Sequence, residues 1–437
     1  MKPSIFCGIA LVMGAGCSYN FKFFESTDLE PQHTDSDGDT ARTTQDSDTN
    51  MSTDSTTTVD TGSNTNSDTG TTSDTGSELP CVDDSIESPC WFDAAWEHRS
   101  KINILAAQVS GTNQQYFPVL ISSTYAEWKG PSHSGQIGRT NGGDIVFTSN
   151  DAQTQLKHEI EQYDPSSGRL VAWVQVPVLS SSTNTIVYMY YGNPAAQDQW
   201  DVSGVWDDGG NHHFKGVWHM SQAGLENRLD STINGNHCIP EDYTGNENEP
   251  GVAGNADRLD GVNDLLNCGI GSSLNIRNQI TISAWINPSP PRLRKDRWND
   301  ALFKSAYCFF LYGTTDTRTT IGAWFAINGV EQDIWDEGTI DIPPDTWSYI
   351  VTTYDGNQIK VYVNAQLDFA VSLPGTMDDS TASPLTIGQR PDGLLAGAID
   401  ELRISQIARS ADWVITSYNN QSSPSTFYTV AAPISQD

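Results

Sequence analysis

From Trp91 onward the chain is built of short runs in which apolar and polar positions alternate, separated by clusters of Gly, Pro, Asn and Asp. "KINILAAQV", "GDIVFTS", "RLVAWVQVPVL" and "TIVYMYYGN" come first; "QITISAWINP", "WSYIVTTYDG", "QIKVYVNAQ" and "AIDELRIS" follow later. Period-two alternation rich in Val, Ile, Tyr and Trp is the mark of half-buried antiparallel strands. No long stretch keeps a helical period. The spacing of strands and turns predicts an all-β protein of two β-sandwich modules, one over 81–205 and one over 206–437. The seam falls in the turn-rich "YYGNPAAQDQWDVSGVWDDGGNHH". Trp218, Trp285 and Trp347 lie inside strand patterns and are expected in the core.

Before Trp91 the pattern vanishes. Residues 26–80 are Ser, Thr, Asp, Asn and Gly with almost no apolar side chains, too few to offset the entropy of ordering. The expectation for 17–80 is an anchor followed by a disordered, self-repelling acidic tether. One piece, "DSDGDTARTTQD", has acids at calcium-loop spacing. It lacks the sixth-position glycine and closing glutamate, so it reads as solvated linker. Over 437 residues the formal net charge is −32, which excludes the basic footprint of a nucleic-acid binder.

The first residues set the compartment. Lys2 precedes the apolar run "IFCGIALVMGAG", which is too short for a permanent span and has the plan of a secretory signal over 1–16. The small residues before Cys17 resemble the lipobox of bacterial lipoproteins, with Gly14 where Leu is usual. That resemblance implies acylation of Cys17 and a lipid-anchored protein at the outer membrane or cell surface. Among the later cysteines, Cys81 and Cys90 bracket a short Pro-containing loop and are expected to pair. Cys238, Cys268 and Cys308 remain, of which Cys238–Cys268 is the preferred second bridge. No spacing resembles a zinc site.

Two resemblances cover most of the rest. "WEHRSKINI", "FPVLI", "NGGDIVFTSNDAQTQLKHEIEQYD" and "GRLVAWVQVPVLSSSTNTIVYMYYGN" resemble a bacterial domain family of unknown function over about 91–205. "GVWHMSQ", "LDSTINGNHC", "ADRLDGVNDLLNCG", "ITISAWINP", "DTWSYIVTTYDGNQIKVYVNAQ" and "LAGAIDELRISQIARSADWV" resemble the laminin-G-like, concanavalin-A-type jelly roll over about 214–430. That family implies two curved antiparallel sheets, and it hosts lectins, adhesive modules and some glycan hydrolases. It also implies a structural calcium ion where the loop "DSTINGNH" meets the strand carrying "IDE". The ligands would be Asp230, Asn234, Asn236 and Asp400, with Ile233 standing where the family has a glycine.

Candidate chemistry is sparse. Sugar binding needs exposed aromatic platforms beside polar groups. Trp298, in the basic loop "RLRKDRWND", and Trp335, in "QDIWDEG", are the candidates. The stretch "TQLKHEIEQYD" places Glu159 and Glu161 on one face of a strand, roughly 6.5–7 Å apart. A retaining glycosidase needs carboxyl groups about 5–5.5 Å apart. The stretch resembles the E-x-D-x-x-E strand of laminarinase-type hydrolases, which would make Glu159 nucleophile, Glu161 helper and Asp164 acid/base. The middle acid is Glu rather than Asp, the last is the shorter Asp, and the stretch lies in the first module. It therefore reads as a signature strand, with Glu159 and Glu161 on its polar face and Ile160 toward the core. The expected function is non-catalytic binding of a polysaccharide or surface protein through the jelly roll. A glycoside hydrolase and a structural envelope protein are the alternatives.

Overall fold

A computed structural model of the chain describes residues 91–290, 298–315, 318–390 and 393–436. The signal segment, Cys17, the tether, the Cys81–Cys90 pair and the basic loop 291–297 lie outside the described residues. The architecture is all-β, as the alternation predicts, with a few short helices.

The first sandwich is made of β1 (His98–Ile104), β2 (Gln114–Thr124), β3 (Val146–Thr148), β4 (Gln155–Leu156), β5 (His158–Asp164), β6 (Arg169–Leu179) and β7 (Thr185–Tyr191). One sheet runs β1-β7-β3-β4 and the other β2-β6-β5. Ile102, Ile104, Val119, Ile121, Phe147, Leu170, Ala172, Val174 and Met189 meet between them as one core. Each fully buried Ile, Val, Leu, Phe or Met side chain among them contributes about 1.5–3 kcal/mol.

β6 differs from a one-faced strand. Its residues 170–176, "LVAWVQV", are buried on both faces. Leu170, Ala172 and Val174 face the sandwich core, while Val171 and Trp173 enter a second cluster with Leu120, Trp206, Phe214, Val217 and Ala253. A strand apolar on both sides must be covered on both sides. The second cover here is the jelly roll, reached through the connection that carries the one-turn α1 (Val202–Val205) and the buried Trp206.

The jelly roll begins at β8 (Phe214–Trp218). β8 pairs with the strand Ala396–Ser405, which belongs to an eight-stranded sheet. A seven-stranded sheet faces it, and Trp218, Ile282, Leu302, Phe309, Ile350 and Leu402 pack between the two. Cys238 and Cys268 form the expected disulfide. Cys308 remains a buried thiol, 3.5 Å from Asp300 Oδ1. Trp218 and Trp285 are buried as expected, and Trp347 packs half-buried beside Trp285.

The C-terminal boundary differs from expectation. After α2 (Ala411–Ser422), capped by Ser410 accepting from the Trp413 amide, the chain leaves the jelly roll. Tyr428–Val430 pairs with β1, Ile102 opposite Val430, and Ile434–Ser435 also pairs with β1. The span 206–437 therefore overstates the jelly roll, because its last strands complete the first sandwich. They cover the open edge of β1, which would otherwise present unpaired backbone. α2 touches both modules: Asn420 exchanges hydrogen bonds with the Leu120 backbone, and Gln421 Oε1 accepts from Trp285 Nε1.

Candidate functional site

The acidic stretch of β5 lies against the jelly roll. Glu159 stands opposite Trp173 in the ladder, and the register shifts between Ile160 and Gln162, leaving Glu161 at a bulge. A bulge re-aims side chains locally. Glu159 and Glu161 do share one side, and Ile160 packs against the sandwich core. The shared side, however, is covered rather than solvated. Glu159 Oε1 accepts from Ser231 Oγ at 2.7 Å, and its Oε2 accepts from Trp206 Nε1 at 2.8 Å. Glu161 accepts from Ser221 Oγ at 2.6 Å and from Trp173 Nε1 at 3.0 Å. Their side chains are 9% and 1% exposed.

The jelly roll supplies the other half. His219, just past β8, sits between carboxylates: Nδ1 is 2.7 Å from Glu401 Oε1 and Nε2 is 3.2 Å from Glu159 Oε2. Glu161 Oε2 is 3.7 Å from the same Nδ1. Asp400 and Glu401 are neighbours on the strand Ala396–Ser405, where a regular strand would send them to opposite faces. A register shift opposite Ser283 and Trp285, with Glu401 at φ 51°, breaks that alternation. Arg403 donates to Glu401 Oε2 at 2.6 Å and lies over the Trp173 ring at 4.2 Å. Asp400 Oδ2 accepts from the Val252 and Ala253 amides. The loop beneath is kept bare: a Cβ on Gly251 or Gly254 would strike Asp400 or Glu161.

Burial and mutual repulsion set the charges. Glu161 is pushed up to about 7, chiefly by burial and then by the Glu401 charge. Asp400 is raised well above the usual carboxylate range by burial and by Glu401 and Glu161, so it keeps its proton. Burial opposes charge at Glu401 too, but His219 and Arg403 outweigh it and hold Glu401 ionised. Burial would likewise lower His219, yet Glu401, Glu159 and Glu161 raise it well above the usual histidine value.

The proposed hydrolase set is not assembled. Asp164 ends β5 in a turn, where Oδ1 accepts from the Ser166 amide and hydroxyl and Oδ2 from Ser167 Oγ. Those bonds hold it near 2, ionised, the wrong state for a general acid. Glu159 and Glu161 have their oxygens occupied by tryptophan, serine and, for Glu159, histidine donors, with no exposed face for a sugar ring.

The four residues expected to hold calcium each have protein hydrogen-bond partners. Asp230 accepts from the Val217, Thr232 and Asn236 amides and the Thr232 hydroxyl, so it organises its own loop. Asn234 donates Nδ2 to Phe214 O, and Asn236 donates to Lys215 O and Ser273 Oγ. Asp400 serves a different loop and shares no hydrogen-bond partner with Asp230. The Asn and Asp of "DSTINGNH" thus do turn work. Of the aromatic candidates, Trp335 is 38% exposed and rests on Tyr312 with ring centroids 5.1 Å apart. Trp298 opens the strand Trp298–Lys304 with its backbone opposite Tyr312.

An open groove lies at a loop edge of the jelly roll. It has a volume of about 500 Å³ and is lined by Asp242, Asn246, Glu249, Arg258, Asn263 and Asp264, among others. Asp242, Asn246 and Asn263 are exposed. Arg258 is fixed by Glu249 through two bonds, at 2.5 and 2.8 Å, and by Ser289 Oγ at 2.6 Å. Asp264 accepts from the Asp260 amide, and burial together with the Asp260, Glu247 and Asp242 charges raises its carboxyl.

Residues 260–415 match the family described as the concanavalin A-like lectin/glucanases superfamily. The chain carries a concanavalin-A-like domain. Residues 141–220 match a domain of unknown function, DUF2341, and that match extends past the seam to include His219. The seam cluster is thus drawn from both matched segments. Among curated proteins, none matches the chain in sequence. Among solved structures, domain 4 of AbnA, a GH43 extracellular arabinanase from Geobacillus stearothermophilus in complex with arabinotriose, is 21% identical. The alignment covers 47% of this chain and 98% of that one, with a TM-score of 0.37. The binding domain of Paraclostridial Mosquitocidal Protein 1 is 18% identical over 47% of this chain, with a TM-score of 0.36. The match spans about half of that domain, 52%. A heptameric SAP-like pentraxin from Limulus polyphemus is 15% identical over 33% of this chain and 71% of its own, with a TM-score of 0.27.

His219, Ser221 and Arg403 meet the carboxylates of the seam, and no sequence motif announces them. Arg403 shows only as a polar residue inside the apolar strand Ala396–Ser405, and His219 and Ser221 lie just past β8.

Proposed function

We propose that this chain is an exported, lipid-anchored binding protein whose concanavalin-A-like domain takes a carbohydrate, without catalysis, in the groove beside Arg258. The observation that carries the reading is the groove's lining. Exposed Asp242, Asn246 and Asn263 surround a guanidinium already held in place by Glu249 and Ser289. Planar amide, carboxylate and guanidinium groups are suited to the paired hydroxyls of a sugar, and a fixed Arg loses little freedom on binding. The same lining selects the ligand. Asp242, Glu247, Glu249, Asp260 and Asp264 face a single Arg258, so a uronic or sulfated glycan is repelled and a neutral or amino sugar is accepted. The test is retention of the purified chain on immobilised neutral, amino and anionic polysaccharides. Neutral or amino glycans should retain it, and an Asp242→Ala/Asn246→Ala/Asn263→Ala variant should bind at least tenfold more weakly. Failure of every glycan, or equal binding by the variant, would overturn the reading.

A further inference from the structure

We propose that the seam between the two sandwiches is a structural metal site, with Glu161, His219 and Glu401 as ligands to one divalent transition-metal ion. Their ligand atoms all lie within 4.8 Å of one another, and the three residues come from three separate segments. A tetrahedral ion at about 2.0–2.2 Å from each donor holds the donors roughly 3.4 Å apart. The 3.7 Å between His219 Nδ1 and Glu161 Oε2 is already close to that spacing. The 2.7 Å between Nδ1 and Glu401 Oε1 needs to open by under an ångström, roughly. One imidazole nitrogen with two carboxylates suits zinc better than calcium, which prefers a larger all-oxygen shell.

The surroundings are those of a ligand set. A metal-bound histidine donates its other ring N–H to a carboxylate, and Glu159 Oε2 stands 3.2 Å from His219 Nε2. Arg403 holds the far oxygen of Glu401, and Trp173 and Ser221 hold Glu161. A second observation is independent of these three residues. Asp400 Oδ1 is buried with no hydrogen-bond partner. An unpartnered buried carboxyl oxygen is costly unless something meets it, and this one belongs to the residue next to Glu401 in the chain. The left-handed backbone at Glu401 is the local strain that brings Asp400 and Glu401 to this seam together. Four carboxyl groups crowd here against one guanidinium and one imidazole, and a dication offsets the repulsion among those that are ionised. With ligand side chains at most 4% exposed the site is closed, which marks a structural ion that ties β5 to the jelly roll.

The experiment uses the full chain stripped of metal and then titrated with Zn²⁺ or Co²⁺. Expected are one zinc per chain by elemental analysis, a tetrahedral Co²⁺ spectrum, and a rise in Tm with zinc that chelator reverses. Glu161→Gln is of the same size, can accept from Trp173 through Oε1 while its amide donates to Ser221 Oγ, and should bind at least tenfold more weakly. Asp264→Asn, in the glycan groove, should bind as the parent does. The proposal is overturned if the parent chain takes up no stoichiometric ion. It is also overturned if Glu161→Gln binds equally well, or if Asp264→Asn abolishes binding, which would place the ion in the groove.

Discussion

The seam and the groove are both clusters of carboxylates around one arginine, yet burial makes them different objects. At the seam, Glu159, Glu161, Asp400 and Glu401 are closed off by Trp173, Trp206 and His219, so every lone pair must be met inside the protein. In the groove, Asp242, Asn246 and Asn263 are exposed to solvent and open to a ligand. The same residue types thus fasten two domains in one place and present a surface in the other. The lesson is that carboxylate spacing along a strand carries no function until it is known what packs over it.

The largest expected effect comes from opening the seam. Glu401→Ala removes the carboxylate that Arg403 donates to and the nearest of the three around His219, leaving a buried guanidinium without its ion-pair partner. A loss of about 3–5 kcal/mol is expected. Chemical denaturation should show it, with Trp173 and Trp206 fluorescence reporting separation of the two modules. Asp242→Ala in the groove, by contrast, should change stability by no more than about 0.5 kcal/mol while weakening glycan retention.

Next in size is an acid effect inside the first sandwich. His158 is buried against Phe147, its Nε2 has no partner, and burial lowers it to about 4. A histidine depressed in the folded state contributes no penalty above its unfolded pKa of about 6.5. As pH falls from there toward 4 the unfolded chain binds the extra proton, and stability drops by on the order of 3 kcal/mol. His158→Leu should flatten this dependence in urea melts between pH 7 and 4; an unchanged slope would assign it to other groups.

Smaller again than the acid effect is that of Trp335→Ala. The ring pair with Tyr312 is worth about 0.5–1.5 kcal/mol, so a thermal melt should move by a few degrees at most. Glycan retention should not change if the groove is the binding surface, whereas a tenfold loss would move the site to the Trp335 face.

Much of the fold is legible in the residues alone. Alternation in "TIVYMYYGN" or "QITISAWINP" reports a half-buried strand because side chains of a strand alternate faces. The unbroken "LVAWVQV" of β6 carries a further signal, burial on both sides, although not what lies on the second side. The pairing of Cys238 with Cys268 is expected and is present. The face shared by Glu159 and Glu161 is also as expected, but its solvation is not, because the cover comes from His219, Ser221 and Ser231, sixty or more residues later.

Local periodicity therefore settled the strand class, the two-sandwich plan and the change of texture at Trp91, since each depends on neighbours within a few residues. Tertiary structure alone decided that Tyr428–Val430 returns to β1, that Asp230 and Asp400 serve different loops, and that Glu161, His219 and Glu401 meet. These are long-range pairings, and two bulges that break strand alternation help set them at Glu161 and Glu401. A one-residue shift of register reverses the face of everything after it, and no spacing rule in the chain announces where that shift occurs.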